Sequence, residues 1–247
     1  MDTPRLYGDL AWVWPLLSPP EDYPDEAAII GAHFRDAGVA EGATLLHLGC
    51  GGGSLDHHLK RRFAVTGVDQ SPAMLERAAA LNPEVSYVTG DMLDCDLGRT
   101  FDAVLLHDAQ AYLVEPDELR RVYETAARHL RPGGVFVSAP EELRERFVQD
   151  RVSSSTSRAD ASASVTTIEL HHDADPSDRV FETTFLFVIR RDGHQRVEVD
   201  VHRMGLWELD EVLAPMADAG FDAVVSRPRL LSVPGGEWVL VTAVKTE

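Results

Sequence analysis

Apolar and polar residues alternate along the chain with two different periods, and these periods divide it into strands and helices. Five short apolar runs are typical of buried strands, at residues 45–48, 63–68, 85–88, 101–106 and 135–139. Between several of these runs the apolar residues recur three or four positions apart, most clearly over residues 115–130. This spacing predicts amphipathic helices. Strands that alternate with helices over residues 43–139 predict an α/β fold with a doubly wound parallel sheet.

The chain on either side of this block is patterned differently. In the first forty residues aromatic residues stand beside prolines, which predicts an ordered arm, and the helix that follows should end at Gly38. Residues 151–164 are rich in Ser, Ala, Thr and Asp without an apolar period, so we expect a mobile loop or a disordered crossing there. Alternating runs at residues 164–171, 180–190 and 196–203 predict an antiparallel meander.

We therefore expect four segments along the chain. They are an N-terminal arm with a lid helix (1–40), an α/β core (41–150), a small antiparallel β insertion (151–205) and a C-terminal helix with two strands that complete the core sheet (206–247). A chain of 247 residues with 44% apolar content can bury the core that such an arrangement requires.

The first strand runs into a glycine-rich turn, after which we expect a helix over residues 54–62. Gly49, Gly51 and Gly53 allow the backbone to approach a ligand closely. Asp69 stands twenty residues after Gly49, at the end of the second apolar run, where a carboxylate can accept both hydroxyls of a ribose. The two features together predict a site for a ribosylated cofactor.

Further motifs follow in a recognisable order, namely Gly90-Asp91-Met92 and then Arg131-Pro132-Gly133-Gly134. Together with the glycine turn, this set resembles the class I S-adenosylmethionine-dependent methyltransferases over residues 43–139. The resemblance implies a Rossmann-like sheet of seven mostly parallel strands with an inserted antiparallel β lobe, and S-adenosylmethionine as the cofactor. His47 departs from the family pattern, which usually has an acidic residue at this position.

The resemblance also implies which residues hold the cofactor. The glycine turn would line the methionine moiety, Asp69 the ribose, and Met74 and Asp91 the adenine. The cofactor-binding set that the resemblance implies is Tyr23, Gly49, Cys50, Gly51, Gly53, Asp69, Gln70, Met74, Asp91, Met92 and His107. Simpler alternatives stay open: Asp69 as an acidic residue before a helix, Met74 as a core residue, and Asp91 as a surface-turn residue.

The arm and the β insertion narrow the resemblance to small-molecule N-methyltransferases that act on amino sugars in secondary metabolism. In such enzymes the arm folds over the cofactor, which makes Tyr7 a candidate for the acceptor pocket and Tyr23 for the cofactor carboxylate. Anchoring of the arm is the alternative role for both tyrosines. His107 and Asp108, which end the fourth strand, are candidates for acceptor chemistry, and capping of that strand is their alternative role.

Composition restricts the partners. The chain has 41 acidic and 23 basic residues, a net charge of −18, so its field should repel nucleic acids and anionic membranes. Its first residues lack the pattern of a secretory signal, and two cysteines are too few for a disulfide framework, so we expect a cytoplasmic protein. The pair His171-His172 with Asp173 and Asp175 has turn composition, which argues against a metal.

The function predicted from these features is methyl transfer from S-adenosylmethionine to a small polar acceptor, with nitrogen favoured over oxygen. One alternative is an NAD-dependent oxidoreductase, which Ser54 disfavours because the dinucleotide fingerprint has glycine there. The other is a non-catalytic protein that binds S-adenosylmethionine, which His47 in the motif makes conceivable. Exposed strands in the insertion predict a homodimer in either case.

Overall fold

A computed structural model describes residues 4–230 and 236–246, with the side chains of residues 153–156 left out of the description. The N-terminal arm begins with short 3₁₀ turns and helix α1 (Trp14–Leu17), and it continues into α2 (Pro24–Asp36). Pro24 occupies the first turn of α2, and Gly38 follows its end with a positive φ of 90°, as the sequence predicts.

The core begins at residue 44 and alternates strands with helices. Its elements in chain order are β1 (Thr44–Leu48), α3 (Asp56–Leu59), β2 (Ala64–Asp69), α4 (Pro72–Leu81), β3 (Ser86–Thr89), β4 (Phe101–His107), α5 (Pro116–Arg128) and β5 (Leu130–Ala139). One prediction is wrong in extent, because the helix expected over residues 54–62 is a single turn with loop on either side. The side chains of Leu45, Leu46 and Leu48 are completely buried, which explains the continuous apolar run of β1.

The insertion is a separate sheet of four antiparallel strands: β6 (Arg151–Ala159), β7 (Ala163–His172), β8 (Val180–Arg191) and β9 (His194–Gly205). The meander over the last three strands was predicted correctly. The mobile loop expected at residues 151–164 is wrong, because most of this segment forms β6. Its backbone pairs with β7 from Arg151 to Ala159, and this ladder supplies the order that apolar burial does not.

The chain then returns to the core through α6 (Leu209–Asp218), β10 (Phe221–Ser226) and β11 (Leu240–Lys245). The main sheet has seven strands in the order β10-β11-β5-β4-β1-β2-β3, with β11 antiparallel to both of its neighbours. This is the predicted fold class. Within the described residues no helix combines the length and the apolar character needed to cross a membrane.

Four apolar clusters hold these layers together, and the smallest joins Ala111 to Phe181, Met204 and Leu206. One cluster packs α5 and α6 on the first face of the main sheet, and a second packs α2 on the opposite face. In the third cluster, Leu6, Leu10 and Val13 of the arm pack against Val165 and Phe187 of the second sheet. The arm is therefore fixed between the second sheet and the core, close to the carboxyl ends of the parallel strands.

Candidate functional site

A cavity of about 410 Å³ lies at the carboxyl ends of β1, β2 and β4. The glycine turn and the loops after β2 and β3 form one part of its wall. The arm, the end of β5 and the inner face of the second sheet form the rest. In open α/β sheets this edge, outside the carboxyl ends of the strands, is where ligands bind. The cavity is therefore the candidate functional site.

The glycine turn is shaped by close contacts that exclude side chains. Gly49 has a φ of 67°, and a Cβ atom there would lie 2.2 Å from the Cβ of Ala109. A Cβ atom on Gly52 would lie 2.3 Å from the indole of Trp14, so the arm packs directly on this turn. Cys50 is buried between them, and burial raises the pKa of its thiol, which argues against a nucleophilic role.

Asp69 ends β2 with its carboxylate at the cavity wall. Its Oδ2 accepts the backbone N–H of Gly51 at 2.8 Å, and its Oδ1 accepts the N–H of Ser71 at 2.8 Å. Burial raises the pKa of this carboxyl, although both N–H donors act in the opposite direction. These two bonds fix the carboxylate in one orientation and leave lone pairs that can accept hydroxyl groups of a ligand.

Four residues of the cavity wall carry a buried polar atom that has no hydrogen-bond partner within the described residues, and two of them, Arg158 and Thr167, belong to the second sheet. The other two lie near the glycine turn. One is Nε2 of His47, whose other ring nitrogen, Nδ1, lies 2.7 Å from the carboxylate of Asp56. Because a carboxylate accepts hydrogen bonds, Nδ1 carries a hydrogen, and in the neutral imidazole Nε2 is then an acceptor. The other atom is the indole nitrogen of Trp14, which is a donor. Near the glycine turn, the wall therefore offers one acceptor and one donor to a ligand.

The remaining wall is acidic and aromatic. Asp108 and Glu141 line the cavity, and the Asp108 side chain is 52% exposed. Desolvation by the surrounding protein raises the pKa of both carboxyl groups, and the charge of Asp108 raises that of Glu141 further. Asp108 has a positive φ of 57°, an uncommon conformation for a residue with a side chain. The hydroxyl groups of Tyr7 and Tyr112 lie 2.5 Å apart at this wall.

His107 is buried beside two acidic groups. Its Nε2 lies 3.0 Å from Glu26 and its Nδ1 lies 3.3 Å from Asp108. Burial alone would lower the pKa of the imidazole, but Asp108 and Glu26 raise it to about 9. His107 is therefore a positively charged imidazolium at neutral pH, with a hydrogen on both ring nitrogens. This argues against a role for His107 as the base.

The structure brings most of the predicted site residues together. The cavity is lined by Tyr7, Tyr23, Gly49, Cys50, Gly51, Asp69, Gln70, Asp91, Met92, His107 and Asp108. Met74 and Gly53 are outside the lining. Met74 is completely buried under the glycine turn, which favours its alternative role as a core residue, and its contact with adenine stays a prediction. Gly53 packs towards Tyr87, where a Cβ atom would lie 2.7 Å from the phenol oxygen.

Other cavity features were not predicted from the sequence. The indole of Trp14, the pair of His47 with Asp56, and the position of Glu141 inside the cavity have no local motif that marks them. Each depends on packing between segments that are far apart in the chain. A partial signal existed for Glu141, because it directly follows the fifth strand.

This arrangement defines an α/β protein that binds a nucleoside cofactor. Residues 45–134 match the family model described as a methyltransferase domain. The chain is 31% identical, over 75% of its length and 74% of the relative, to the dTDP-4-amino-2,3,4,6-tetradeoxy-D-glucose N,N-dimethyltransferase of Saccharopolyspora spinosa. It is 35% identical to the dTDP-3-amino-3,4,6-trideoxy-alpha-D-glucopyranose N,N-dimethyltransferase of Streptomyces venezuelae, over 57% of this chain and 60% of that one.

A solved structure is also similar. The structure of CalS10 with bound S-adenosylmethionine, an amino pentose methyltransferase from Micromonospora echinaspora, is 29% identical with a TM-score of 0.77, over 90% of this chain and 91% of that one. The chain belongs to the class I S-adenosylmethionine-dependent methyltransferases, as the sequence motifs predicted. The members of this family are enzymes, and their cofactor is S-adenosylmethionine.

The residues of the cavity fit this cofactor. Its ribose hydroxyls could donate to Asp69, which backbone N–H groups hold in place. Its amino acid end carries one ammonium and one carboxylate, and these match the acceptor on His47 and the donor on Trp14. The uncommon histidine in the motif therefore supplies an acceptor where the family usually has a carboxylate.

Proposed function

We propose that the protein transfers the methyl group of S-adenosylmethionine to the amino nitrogen of a small amino sugar. The observation that carries this proposal is the acidic wall, where Asp108, Glu141 and Glu169 line the cavity. Carboxylates in such a position attract a protonated amine. Similarity to two N,N-dimethyltransferases of dTDP-linked amino sugars and to an amino pentose methyltransferase supports the same acceptor class.

Binding and alignment are the main tasks of the chain in this reaction. When bound, S-adenosylmethionine supplies a methyl group on a sulfonium that is already a good leaving group. Asp69 would hold the ribose, and His47 with Trp14 would hold the amino acid end. The arm closes the site against water, since Ser71 donates a hydrogen bond to the backbone carbonyl of Tyr7 at 2.6 Å.

The acceptor amine must lose a proton before its nitrogen can attack. Asp108 and Glu141 would attract the ammonium form and orient it, because both residues line the cavity. His107 would not take the proton, since Asp108 and Glu26 keep it charged. Its role in the proposal is to hold Asp108 in its strained conformation.

A matched pair of acceptors tests the proposal. The purified protein is incubated with S-adenosylmethionine and a dTDP-linked amino sugar, or with the same sugar carrying a hydroxyl in place of the amine, and the products are analysed by mass spectrometry. We expect one or two methyl groups on the amine and none on the hydroxyl analogue. Methylation of the hydroxyl analogue would instead assign the enzyme to oxygen.

Calorimetry of the same protein separates the remaining alternatives. Binding of S-adenosylhomocysteine without methylation of any amine in a broad panel would favour the non-catalytic alternative. Binding of NAD in place of S-adenosylhomocysteine would contradict the cofactor assignment itself. The Asp69→Ala variant serves as the control that lacks the ribose acceptor.

The outer face of the second sheet supports a homodimer as a further part of the proposal. Val197, Val199 and Val201 of β9 are 58%, 48% and 48% exposed, and β9 is an edge strand. Pairing of this edge with a second copy would cover both the apolar stripe and the open strand. Val199→Lys should convert a dimer to a monomer in sedimentation experiments. The cytoplasmic localisation and the exclusion of nucleic acid and membrane partners stay predictions.

A further inference from the structure

A chain of hydrogen bonds leads from the cavity into the interior of the protein. The hydroxyl of Tyr7 lies 2.5 Å from that of Tyr112, which lies 2.8 Å from Nδ1 of His202. Nε2 of His202 lies 2.9 Å from Oδ2 of Asp200. The arm, the loop after β4, and β9 each contribute to this chain, so it joins three segments that are distant in sequence.

The carboxylate of Asp200 fixes the inner end of the chain. It also accepts the backbone N–H of Leu6 at 2.7 Å. Burial by itself would raise the pKa of Asp200, but the hydrogen bonds from His202 and Leu6 lower it below its usual value. Asp200 therefore stays ionised and can only accept hydrogen. His202, which is completely buried, therefore carries a hydrogen on Nε2, and in the neutral imidazole Nδ1 is then an acceptor.

This constraint sets the direction of every bond in the chain. Tyr112 must donate its hydroxyl hydrogen to Nδ1 of His202, and Tyr7 must then donate its own to the oxygen of Tyr112. Burial raises the pKa of both phenols, so neither holds a negative charge. The outcome is a Tyr7 oxygen at the cavity wall whose remaining lone pair accepts hydrogen from a ligand.

We infer that Asp200 and His202 make the Tyr7 oxygen the acceptor for an N–H of the methyl acceptor, and that His202 is the final receiver of the proton this amine loses. The inference rests on the proposed function, because it requires an amine in the cavity. Tyr7 is the catalytic residue in this scheme, since it touches the amine. His202 and Asp200 are positioning residues that act through the two tyrosines.

The proton transfer balances without a further reactant. A proton passes from the ammonium nitrogen to the Tyr7 oxygen, the Tyr7 proton passes to Tyr112, and the Tyr112 proton passes to Nδ1 of His202. The nitrogen keeps its electron pair, which then forms the bond to the methyl carbon. His202 becomes an imidazolium beside Asp200, and the same path returns the proton to solvent after the product leaves.

Several charged or titratable groups face this chain and would shape its pH dependence. Asp69, Asp108 and Glu141 act on Tyr7 across the cavity. On the inner side, Arg5 bridges Asp9 and Glu198 next to the segment that carries Asp200. The ring of Phe185 on β8 packs on His202 with 4.6 Å between ring centroids and adds no charge. Asp200 is the acidic side chain that contacts the imidazole directly.

His202→Asn separates a proton-accepting role from a structural one. The asparagine can still accept a hydrogen bond near the position of Nδ1, but it cannot take up a proton. We expect a fall in kcat for an amine acceptor of about a hundredfold at neutral pH, with affinity for S-adenosylhomocysteine within twofold of the wild type. The loss should shrink as the pH rises past the pKa of the acceptor amine, because a neutral amine has no proton to give up before it attacks.

Thr183→Val is the matched control. Thr183 lies opposite His202 in the β8–β9 register and is buried. Its hydroxyl donates a hydrogen bond to the sulfur of Met204 and does not belong to the hydrogen-bond chain from Tyr7 to Asp200. This variant should keep the kcat and the pH profile of the wild type. A wild-type kcat and pH profile in His202→Asn would overturn the inference. If the wild type itself methylated no amine, the proposed function would fail instead.

NMR of the free protein tests the bond directions without any acceptor. With ¹⁵N-labelled histidine, His202 should be neutral with its hydrogen on Nε2. A hydrogen on Nδ1 would reverse the direction of the hydrogen bond between His202 and Tyr112. This result would overturn the inference whatever the enzyme methylates. This measurement also covers the case in which the substituted protein fails to fold.

Discussion

The two sides of the cavity are built in different ways. On the cofactor side, most of the wall comes from one stretch between His47 and Met92, and its key carboxylate is held by two backbone N–H groups nearby in the chain. On the acceptor side, the wall joins Tyr7, Glu141 and the second sheet, which are far apart in sequence. Local motifs therefore specify the cofactor, whereas tertiary packing specifies the acceptor.

The largest expected effect concerns the cofactor side. Asp69→Ala removes the carboxylate that accepts the N–H of Gly51 and that we propose as the acceptor for two ribose hydroxyls. Since hydrogen bonds to a charged group contribute roughly 1.5–3 kcal/mol each, affinity for S-adenosylhomocysteine should fall by about 3 kcal/mol or more, at least a hundredfold. Calorimetry measures this loss directly.

A second carboxylate provides the control for that experiment. Asp94 is exposed and pairs with Arg121 outside the cavity, so Asp94→Ala should bind S-adenosylhomocysteine like the wild type. An Asp69→Ala protein that folds normally and keeps wild-type affinity would show that the ribose is held elsewhere. The conclusion that local motifs specify the cofactor side of the cavity, whereas tertiary packing specifies the acceptor side, would then lose its main support.

His107 stands at the border of the two sides, and its charge can be detected through stability. Its pKa in the folded protein, about 9, exceeds the ordinary value of 6.5. The protonated ring therefore stabilises the fold fully below pH 6.5, and this contribution, on the order of 3 kcal/mol, is lost as the pH rises to about 9. His107→Gln should flatten this part of the stability curve in urea unfolding experiments.

The exposed His172, which pairs with Asp150 at the surface, is the matched control. His172→Gln should leave the loss of stability between pH 6.5 and 9 almost unchanged, since surface pairs contribute little. If His107→Gln also left the loss of stability between pH 6.5 and 9 unchanged, His107 would be neutral in the folded protein. It would then return as a candidate base for the acceptor side.

The contrast between the two sides also explains how far the sequence could be interpreted. Asp69 and the glycine turn were predictable because spacing along one βαβ unit fixes their relation in space. The β6 strand was not, because Arg151–Ala159 is ordered by its pairing with β7 rather than by its own composition. The role of His202 could not be predicted from the sequence for the same reason. Its partners Tyr112 and Asp200 come together only when the second sheet packs on the core.

A smaller effect is expected for the acidic wall. Glu141→Gln keeps the shape of the side chain and removes the carboxyl group that, when ionised, would attract an ammonium group. We expect KM for the amine acceptor to rise about tenfold, or about 1.4 kcal/mol, with affinity for S-adenosylhomocysteine unchanged. Glu76→Gln, an exposed position on α4, is the control for a change of net charge. A rise in both the KM for the amine acceptor and the dissociation constant for S-adenosylhomocysteine would mean that Glu141 also contributes to cofactor binding.

The smallest effect is expected at Met74, which marks the limit of the cofactor side. Its side chain lies completely buried under the glycine turn and does not line the cavity. Met74→Leu conserves volume, so it should cost less than about 1.5 kcal/mol of stability and change affinity for S-adenosylhomocysteine less than twofold. Met92→Ala, which removes a side chain that does line the cavity, should weaken binding several-fold. A tenfold loss in Met74→Leu would instead place this methionine against the adenine and extend the cofactor side of the cavity beneath the turn.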